Sequence, residues 1–597
     1  MAGREERELD KCLKLLTDCK MDGEVLNRVT DNKIIPLSDF LPIPVNEVVY
    51  DDGRTIERSF LIKGIKRVGE KIILLPAVMV TAASLPAMTW VLENWGFAAN
   101  ISAPIHTKKD HLRGIICTLG SKIAQKRTVY THTGWRKIGG KYCFLYHSGA
   151  IGNNKVSVEL DYKLQPYNME CKGVSFGQAT LAFLRLFEIS SEKVMFPLIA
   201  IAFLSPLNEF LRQVGYEPAF LLYLLGRTQT KKSTIAALIL SFFGRFTSST
   251  LPSSFKDTEN AIEKKGHSLK DVPTVIDDFH PVSHYKEKQN MDKIAQSLSR
   301  GYGDRAGKDR MQADTSIRQG FAPRGNAIIT GEDFPAIGQS GSARNFIVEL
   351  LANDVPASDN LDFVQEQASM GVLAKFMEQY ILWLIPQASS LPVQLKGKFL
   401  ELRHRAIKEK IVGFGRTGDI VAWLQIGMES MIDFCISQKI YTKDIGENKK
   451  EEAWNVFCGL SGVQLEKAEE DKPNNMFIDA IKEMLESGRV YVKNYPEDNE
   501  REYNRKSEIL GYLENDKYYF FPTQTFSCVV QFYKQQSVDF PLSRTRLFKQ
   551  MADEKLIETE TTGTTKTYTK QKRFGREKNR YLVMDREIFY PQEPQIE

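Results

Sequence analysis

The stretch FLLYLLGRTQTKKSTIAALILSFF, residues 220–243, limits what this chain can fold into more than any other. Phe220 to Leu225 is a nearly continuous apolar run, as expected of a strand buried on both faces of a parallel sheet. Gly226 breaks the run, a polar loop follows, and Ser233 to Phe243 reads as an apolar helix. Strand, loop and helix in that order are the context a phosphate-binding loop requires. Set against GxxxxGK[ST], the loop begins at Gly226 and ends on Lys231, Lys232 and Ser233. Lys232 then reaches the β and γ phosphates of ATP, and the Ser233 hydroxyl is a ligand for Mg²⁺. Thr230, Lys231 and Thr234 complete the cradle, with backbone N–H groups and the positive end of the helix facing the phosphates. Lys231 departs from the pattern, because it stands where the motif has its second glycine. A side chain there crowds the nucleotide or strains the turn, while adding positive charge. A relaxed match of this kind also arises by chance, and the plain alternative is a buried strand, a turn and a core helix.

The segment VPTVIDDFHP tips the balance. Val272 to Ile276 is a second short β-branched run, and it ends on two carboxylates, Asp277 and Asp278. At the C-terminal edge of a parallel sheet such a pair stands beside the ligand crevice. One carboxylate, Asp277, can hold Mg²⁺ while Asp278 orients or deprotonates the attacking water. The alternative is a turn with helix-capping aspartates.

At 597 residues the chain is too long for one core, and three or four domains are expected. A net charge of only +5 means that any nucleic-acid surface is a local patch. Eight cysteines are scattered without a CxxC pair, which suits reduced thiols in a cytosolic protein. The charged start MAGREERELDKC is not a signal peptide. Ile72 to Leu92 runs 21 residues without a charge, long enough to span a bilayer. Its two prolines and three hydroxyl residues suit a strand, a turn and a buried helix start better.

Residues 1–165 read as a β-rich N-terminal domain, with a hairpin around Asp52-Gly53 and further hairpins in TVYTHTGWRKIGGKYCFLYHSGAIG. Its basic and aromatic residues could touch DNA, although a solvated sheet face explains them as well. Residues 166–440 carry the phosphate loop and the acidic strand. After them, a helix and a Gly-rich basic hairpin hold Arg305, Lys308 and Arg310, which can grip a DNA backbone inside a ring channel or simply be solvated. GNAIITGE is a further strand ending in Thr330, a polar residue positioned to read the γ-phosphate. Arg344 precedes an apolar strand, as an arginine finger would, or else forms an ion pair within the domain. Arg416 is a second candidate phosphate sensor. Residues 441–522 read as a linker and connecting subdomain, and residues 523–597 as helix, helix and basic hairpin, the order of a winged helix. Arg544, Arg546 and Lys549 lie on its candidate recognition helix. Between Lys566 and Arg580, seven Lys/Arg stand against one Glu, so Lys572, Arg573 and Arg576 are candidate phosphate contacts.

These motifs, in this order, resemble the AAA+ ATPases of the minichromosome-maintenance-like (MCM-like) helicase type, and in particular the replicative helicases of staphylococcal cassette chromosomes and pathogenicity islands. The matching stretches are THTGWRKIGG, GRTQTKKST, IDDFHP, ITGED, SARNFIVEL and GRTGDIVAWL, spread over roughly residues 120–435. The resemblance implies an α/β fold with a AAA+ P-loop ATPase core, a β-rich N-terminal domain and a C-terminal winged-helix domain. It implies a hexameric ring that binds single- and double-stranded DNA and unwinds it 3′ to 5′ in a bacterial cytoplasm, using ATP and Mg²⁺, with no membrane partner. Lys231, and Asp278 where the family usually has Glu, depart from its pattern. Two rival readings remain: a nucleotide-gated DNA-binding regulator or initiator that barely hydrolyses ATP, and a primase-helicase. No persuasive acidic metal cluster in residues 1–165 supports the second.

Overall fold

The computed structural model describes residues 2–590 apart from 31–32, 281–284, 312–316, 319, 336–340, 410–415, 471, 497–506, 537–539 and 563–564. The chain divides into two compact units, with the main division inside one long helix between Cys458 and Gly459.

The first unit is built on a five-stranded, all-parallel sheet: β1 (Leu221–Gly226), β2 (Ser253–Ser254), β3 (Pro273–Phe279), β4 (Asn326–Gly331) and β5 (Asn345–Leu350), in spatial order β2-β3-β4-β1-β5. The apolar run of β1 is buried on both faces because β4 and β5 flank it and helices cover it. Helix α1 (Lys232–Leu240), which follows β1, is itself buried from Ile235 to Leu240. The first strand in sequence thus lies between the fourth and the fifth. The connection after β1 runs to one side, toward β2, and that after its neighbour β4 to the other, toward β5, which makes the C-terminal end of β1 a topological switch point.

Ahead of this sheet, residues 41–51, 56–68 and 71–81 form an antiparallel meander. Strand Gln125–Tyr130 adds parallel to Leu41–Asp51, and Ser157–Val158 pairs beyond it. The 19-residue helix Ile105–Ile123 buries Leu112, Ile115, Ile116 and Leu119 against the meander, in a core shared with Phe40, Leu41, Ile62 and Trp95. The expected turn at Asp52-Gly53 is present. Gly53 has φ +88°, and the Asp52 carboxylate accepts hydrogen bonds from the backbone of Arg54 and Thr55. The uncharged stretch from Ile72 divides into strand Lys71–Thr81, a short turn and the helix Trp90–Trp95. Two described helices, Glu192–Gln213 and Thr417–Ser437, are long and apolar enough to cross a membrane, and most of each apolar window is buried.

THTGWRKIGG joins the meander to the parallel sheet. Thr133 donates from its backbone to Ser268 O (3.0 Å) and from its hydroxyl to Lys270 O (2.9 Å). The backbone N–H of Trp135 donates to the buried Asp271 carboxylate (3.0 Å), and its indole to Pro206 O (2.6 Å). Gly134 has φ +85°, and a Cβ there would lie 2.3 Å from Lys270 O. Only glycine fits so close a backbone approach.

The stretch after Lys443, expected as a linker or exposed helical connector, is the helix Lys443–Glu470, but it is not fully exposed: Ala453, Trp454 and Phe457 are buried. The Trp454 indole donates to Glu409 (2.7 Å), and the Arg405 guanidinium lies 4.3 Å above its ring. Charge between the apolar positions had concealed the anchoring of the helix.

In the second unit, helix Pro473–Glu486 leads into a sheet ordered Val490–Asn494, Glu508–Glu514, Lys517–Phe520, Glu577–Asp585, Lys570–Phe574. The first pair is parallel and the others antiparallel. Helices Pro522–Gln535 and Arg544–Asp553 share one core with it, running from Phe477 through Leu510, Phe520, Val529 and Leu547 to Phe589. The expected boundary between 522 and 523 therefore falls inside a single packed unit: Lys517–Phe520 pairs across it with Glu577–Asp585.

Candidate active site

The candidate phosphate loop leaves β1 at Gly226, where a side chain would meet Leu350 O at 2.7 Å and Thr230 Oγ1 at 2.8 Å. Gln229 and Lys231 both adopt left-handed backbone, at φ +71° and +63°. Lys231, the residue before α1, thus takes the conformation its glycine counterpart would supply, at a cost of roughly 1–2 kcal/mol for an L-residue. Its Nζ donates to Val355 O (3.0 Å). Thr230 is buried, and its hydroxyl bonds back to Arg227 O (2.9 Å), closing the loop on itself.

Lys232 folds over the loop, with Nζ donating to Gly226 O (2.5 Å) and Arg227 O (2.9 Å). Burial lowers its pKa, against the opposing pull of Glu332, Asp277 and Asp278. The Ser233 hydroxyl donates to Asp277 Oδ1 (2.8 Å), and the Thr330 hydroxyl reaches the same oxygen (2.5 Å). Two hydroxyls, from α1 and β4, therefore converge on one carboxylate oxygen of β3 at the switch point.

The β3–β4 register shifts between Ile276 and Phe279, and Asp278 sits in that irregularity at φ +73°. Its N–H donates to Thr330 Oγ1 (3.1 Å), while its carboxylate faces Lys256 (3.4 Å) and His280 (3.3 Å). The bulge turns the second aspartate away from its neighbour's partners. A crevice of about 300 Å³ is lined by Lys231, Lys232, Ser233, Thr234, Asp277 and Asp278, with Thr228, Thr330 and Glu332 completing its wall. Thr228 and Glu332 bridge its mouth at 2.5 Å.

The sequence-derived residues Gly226, Thr230, Lys231, Lys232, Ser233, Thr234, Asp277, Asp278 and Thr330 thus meet at one sheet edge. Glu332, Lys256 and His280 were missed. Glu332 was discoverable, two residues beyond Thr330 in ITGED, whereas Lys256 comes from the connection after β2 and carries no local signal.

Arg344 stands elsewhere. It precedes β5, and its carbonyl accepts from Leu221 N, at the start of β1 (2.9 Å). It is therefore at the opposite edge of the sheet from the loop, about 20 Å away over six residues of strand. Its guanidinium pairs with Asp304 (3.1 and 3.2 Å), and its stem packs over Gly303, where a Cβ would lie 2.2 Å from Arg344 Cδ. Arg416 precedes helix Thr417–Ser437 and falls with the second unit.

The expected DNA contacts separate into exposed and committed groups. Arg305 is largely buried. It donates to Pro218 O, Gly325 O (2.5 Å) and Asn326 Oδ1 (3.0 Å), fastening the starts of β1 and β4, so it is not available as the channel contact expected of it. Lys308 is exposed and paired with Glu259. Arg310–Met311 and Ile317–Arg318 form the expected antiparallel hairpin, with Arg310 opposite Arg318; the side chain of Arg310 lies outside the described atoms. In the second unit, Arg546 and Lys549 are exposed on helix Arg544–Asp553, and Arg544 reaches Thr523. Lys572 pairs with Glu514 and stacks 4.6 Å from the Tyr519 ring, which ties it to the sheet, whereas Arg573 and Arg576 are exposed. Lys570 and Arg580 likewise pair with Glu558 (2.6 Å) and Glu560 (2.7 Å), so the hairpin offers fewer uncommitted cations than its composition suggests.

Residues 103–314 match a family described as a domain of unknown function, DUF927. No curated protein matches the chain. Among solved structures, one described as SCCmec type IV Cch, an active helicase, is similar over 96% of this chain and 98% of its own, with a TM-score of 0.56 and 14% identity. The two share a fold over nearly their whole lengths. The C-terminal region of NrS-1 is similar over 70% of this chain and 87% of its own (TM-score 0.26, 12% identity). The JCV helicase, solved with a bound thiazolopyridine compound, is similar over 40% of this chain and 74% of its own (TM-score 0.20, 12% identity).

Proposed function

We propose that this chain is an ATP-dependent DNA helicase with an MCM-like AAA+ core, a β-rich N-terminal domain and a C-terminal winged helix, which unwinds DNA for the replication of a mobile genetic element. The observation that carries the reading is the convergence of Ser233 and Thr330 on Asp277 beside Lys232, at the switch point of a parallel sheet. A fold shared with the helicase Cch supports it at the level of architecture.

The residues fit ATP and Mg²⁺. A hydroxyl and a carboxylate oxygen 2.8 Å apart are hard donors of the kind Mg²⁺ takes, and the Lys232 ammonium lies over the loop, on the carbonyls of Gly226 and Arg227. When bound, ATP with its cation supplies the electrophilic γ-phosphorus. Lys232 then exchanges its carbonyl partners for phosphate oxygens, and the first N–H groups of α1 face the same charge. Ser233 and Asp277 hold the oxygen-donor positions, Thr330 fixes the Asp277 oxygen it touches, and Asp278 accepts the proton of the attacking water.

Arg344 acts as a finger on a neighbouring subunit, since its own loop is a strand's length away. The assembly is therefore a closed ring, a hexamer by the resemblance, moving 3′ to 5′ in a bacterial cytoplasm. Arg416 is a second sensor. Lys308, Arg310, Arg544, Arg546, Lys549, Arg573 and Arg576 contact single- or double-stranded DNA, and the C-terminal helices bind the element's own origin. Turnover with and without single-stranded DNA, alongside strand displacement on a forked substrate, tests the reading. Lys232→Ala abolishes both activities; if Lys231→Ala does so while Lys232→Ala does not, the register of the loop is wrong.

A second reading, a nucleotide-gated DNA-binding regulator, is favoured by one observation: Asp278 already faces two cationic or potentially cationic groups, Lys256 and His280. It predicts tight ATP binding with negligible turnover, whether or not DNA is present.

A further inference from the structure

A second cleft, of about 380 Å³, lies where the N-terminal meander meets the parallel sheet, at the edge opposite the phosphate loop. Its walls come from the Gly53-Arg54 turn, from His132 to Lys137, from Arg212 and Lys270, and from Arg324 just before β4.

Most of its charges cancel. Arg212 pairs with Glu209 and Glu217 (2.8 Å each), Lys270 with Glu209 (2.9 Å) and the buried Asp271 (2.7 Å), and Arg136 with Asp51 (2.5 Å). The Asp52 carboxylate is spent on its own turn, accepting from Arg54 N, Thr55 N and Thr55 Oγ1. Arg54, Lys137 and Arg324 are left without a carboxylate ion pair among the described residues.

Arg324 is the unusual member. It is only 5% exposed, yet its Nε and Nη1 donate to two carbonyls, His267 O (2.5 Å) and Asp52 O (2.7 Å), while its Nη2 has no partner among the described residues. Burial pushes its pKa down to about 10. Beside it, His132 is 1% exposed. Its Nδ1–H donates to Thr133 O (2.7 Å), which leaves Nε2 a buried acceptor, also without a partner among the described residues. The nearby Asp52 and Asp271 charges ease its burial only in part; a buried guanidinium in no close ion pair is costly, and an orphaned donor adds to the cost. An entering oxyanion removes both penalties through charge-assisted hydrogen bonds.

We propose that this cleft binds phosphate groups, with Arg324 as the buried anchor, Arg54 and Lys137 as the rim, and His132 Nε2 taking a hydrogen bond from water held on the bound oxyanion. The site is a strand's length from the ATP crevice, and its existence does not depend on the helicase reading. Phosphate can arrive as a free small anion or as the backbone of a DNA strand, so the test has two arms.

The full-length chain is first saturated with a non-hydrolysable ATP analogue to occupy the phosphate loop. Inorganic pyrophosphate is then added in a thermal-unfolding series, and fluorescein-labelled dT20 in an anisotropy series over salt concentration. Both are run on the parent protein, on the rim variant Arg54→Ala/Lys137→Ala, and on a control that removes two cations outside the cleft, Lys126→Ala/Arg127→Ala. The variants change exposed side chains, so each still folds. Loss of pyrophosphate protection in the rim variant alone identifies a small-anion site. A dT20 salt slope lowered by about 1.4, two contacts at about 0.7 each, in the rim variant alone identifies a strand backbone. The proposal is overturned if the rim variant matches the parent with both probes, or if the control pair loses as much.

Discussion

Arg344→Ala should reduce ATP turnover by about 10³-fold or more, the lower end of what arginine fingers supply. Stability should change little, because the lost pair with Asp304 is partly exposed and is worth about 1 kcal/mol. The decisive measurement is made on mixtures. Arg344 and the phosphate loop occupy opposite ends of the adjacent strands β5 and β1, so a complete site needs the loop of one subunit and the arginine of the next. Arg344→Ala subunits keep an intact loop, and Lys232→Ala subunits keep an intact finger. In an equimolar random ring about a quarter of the head-to-tail interfaces pair the two intact halves, whatever the subunit count. Turnover should therefore return to about a quarter of the parent rate if interfaces fire independently, from two components that are each nearly inactive. An arginine serving its own subunit's loop gives no recovery, because no subunit in the mixture carries both groups. Mixed rings verified by mass spectrometry that stay inactive at every ratio refute the assignment.

Asp278→Asn should leave ATP bound but unreacted, since an amide cannot accept the proton of water; equilibrium ATP binding with single-turnover kinetics checks it, and weakened binding with normal turnover of the bound fraction would make Asp278 structural. A chain ended after Phe521 should aggregate or be degraded, because strand Lys517–Phe520 loses its partner Glu577–Asp585 and Phe477 and Phe520 lose their cover. One ended after Glu470 should stay folded, keep ATP turnover and lose tight duplex binding, as read by limited proteolysis, ATPase assay and anisotropy. Acid should loosen the first unit: burial, with the Arg324 charge behind it, lowers His267 to about 4 and lowers His132 as well. Both take up protons on unfolding below about pH 6.5, so stability falls from there toward pH 4 by up to about 1.4 kcal/mol per histidine per pH unit. Asp271, raised by burial, offsets part of this; denaturant midpoints that rise between pH 6.5 and 5 would contradict it.

The crevice at the end of β1 and β3 was legible because its parts are local. An apolar run that ends on glycine, and another that ends on Asp277, declare two parallel strands and the edge at which both finish. Arg305 was misjudged for the opposite reason. Its carbonyl acceptors at Pro218 and Gly325 come from segments remote in sequence, so a basic Gly-rich stretch looked like a surface. THTGWRKIGG does open the expected hairpin, Gly134–Ile138 pairing antiparallel with Lys141–Tyr146, but its pattern did not show that Trp135 is buried with partners at Pro206 and Asp271. The 522/523 boundary followed a change from strand-like to helix-like pattern. Such a pattern reports secondary structure and is silent about which elements share a core. Composition also overstated the basic hairpin, since the acids facing Lys570, Lys572 and Arg580 lie on other strands and loops.

The seam at Gly134 makes the N-terminal meander a poor candidate for exchange. Its threonine, glycine and tryptophan fit one particular backbone path, from Ser268 to Asp271, and one carbonyl at Pro206. A chimera that borrows residues 1–165 from a relative inherits a surface cut for a different recess, and the mismatch bears on the strand that carries Asp277. Designers who want to change what the front of this protein recognises would do better to graft onto the outer hairpins and leave residues 131–137 native. Where natural relatives have exchanged this module, Pro206 and the Ser268–Asp271 segment should have travelled with it.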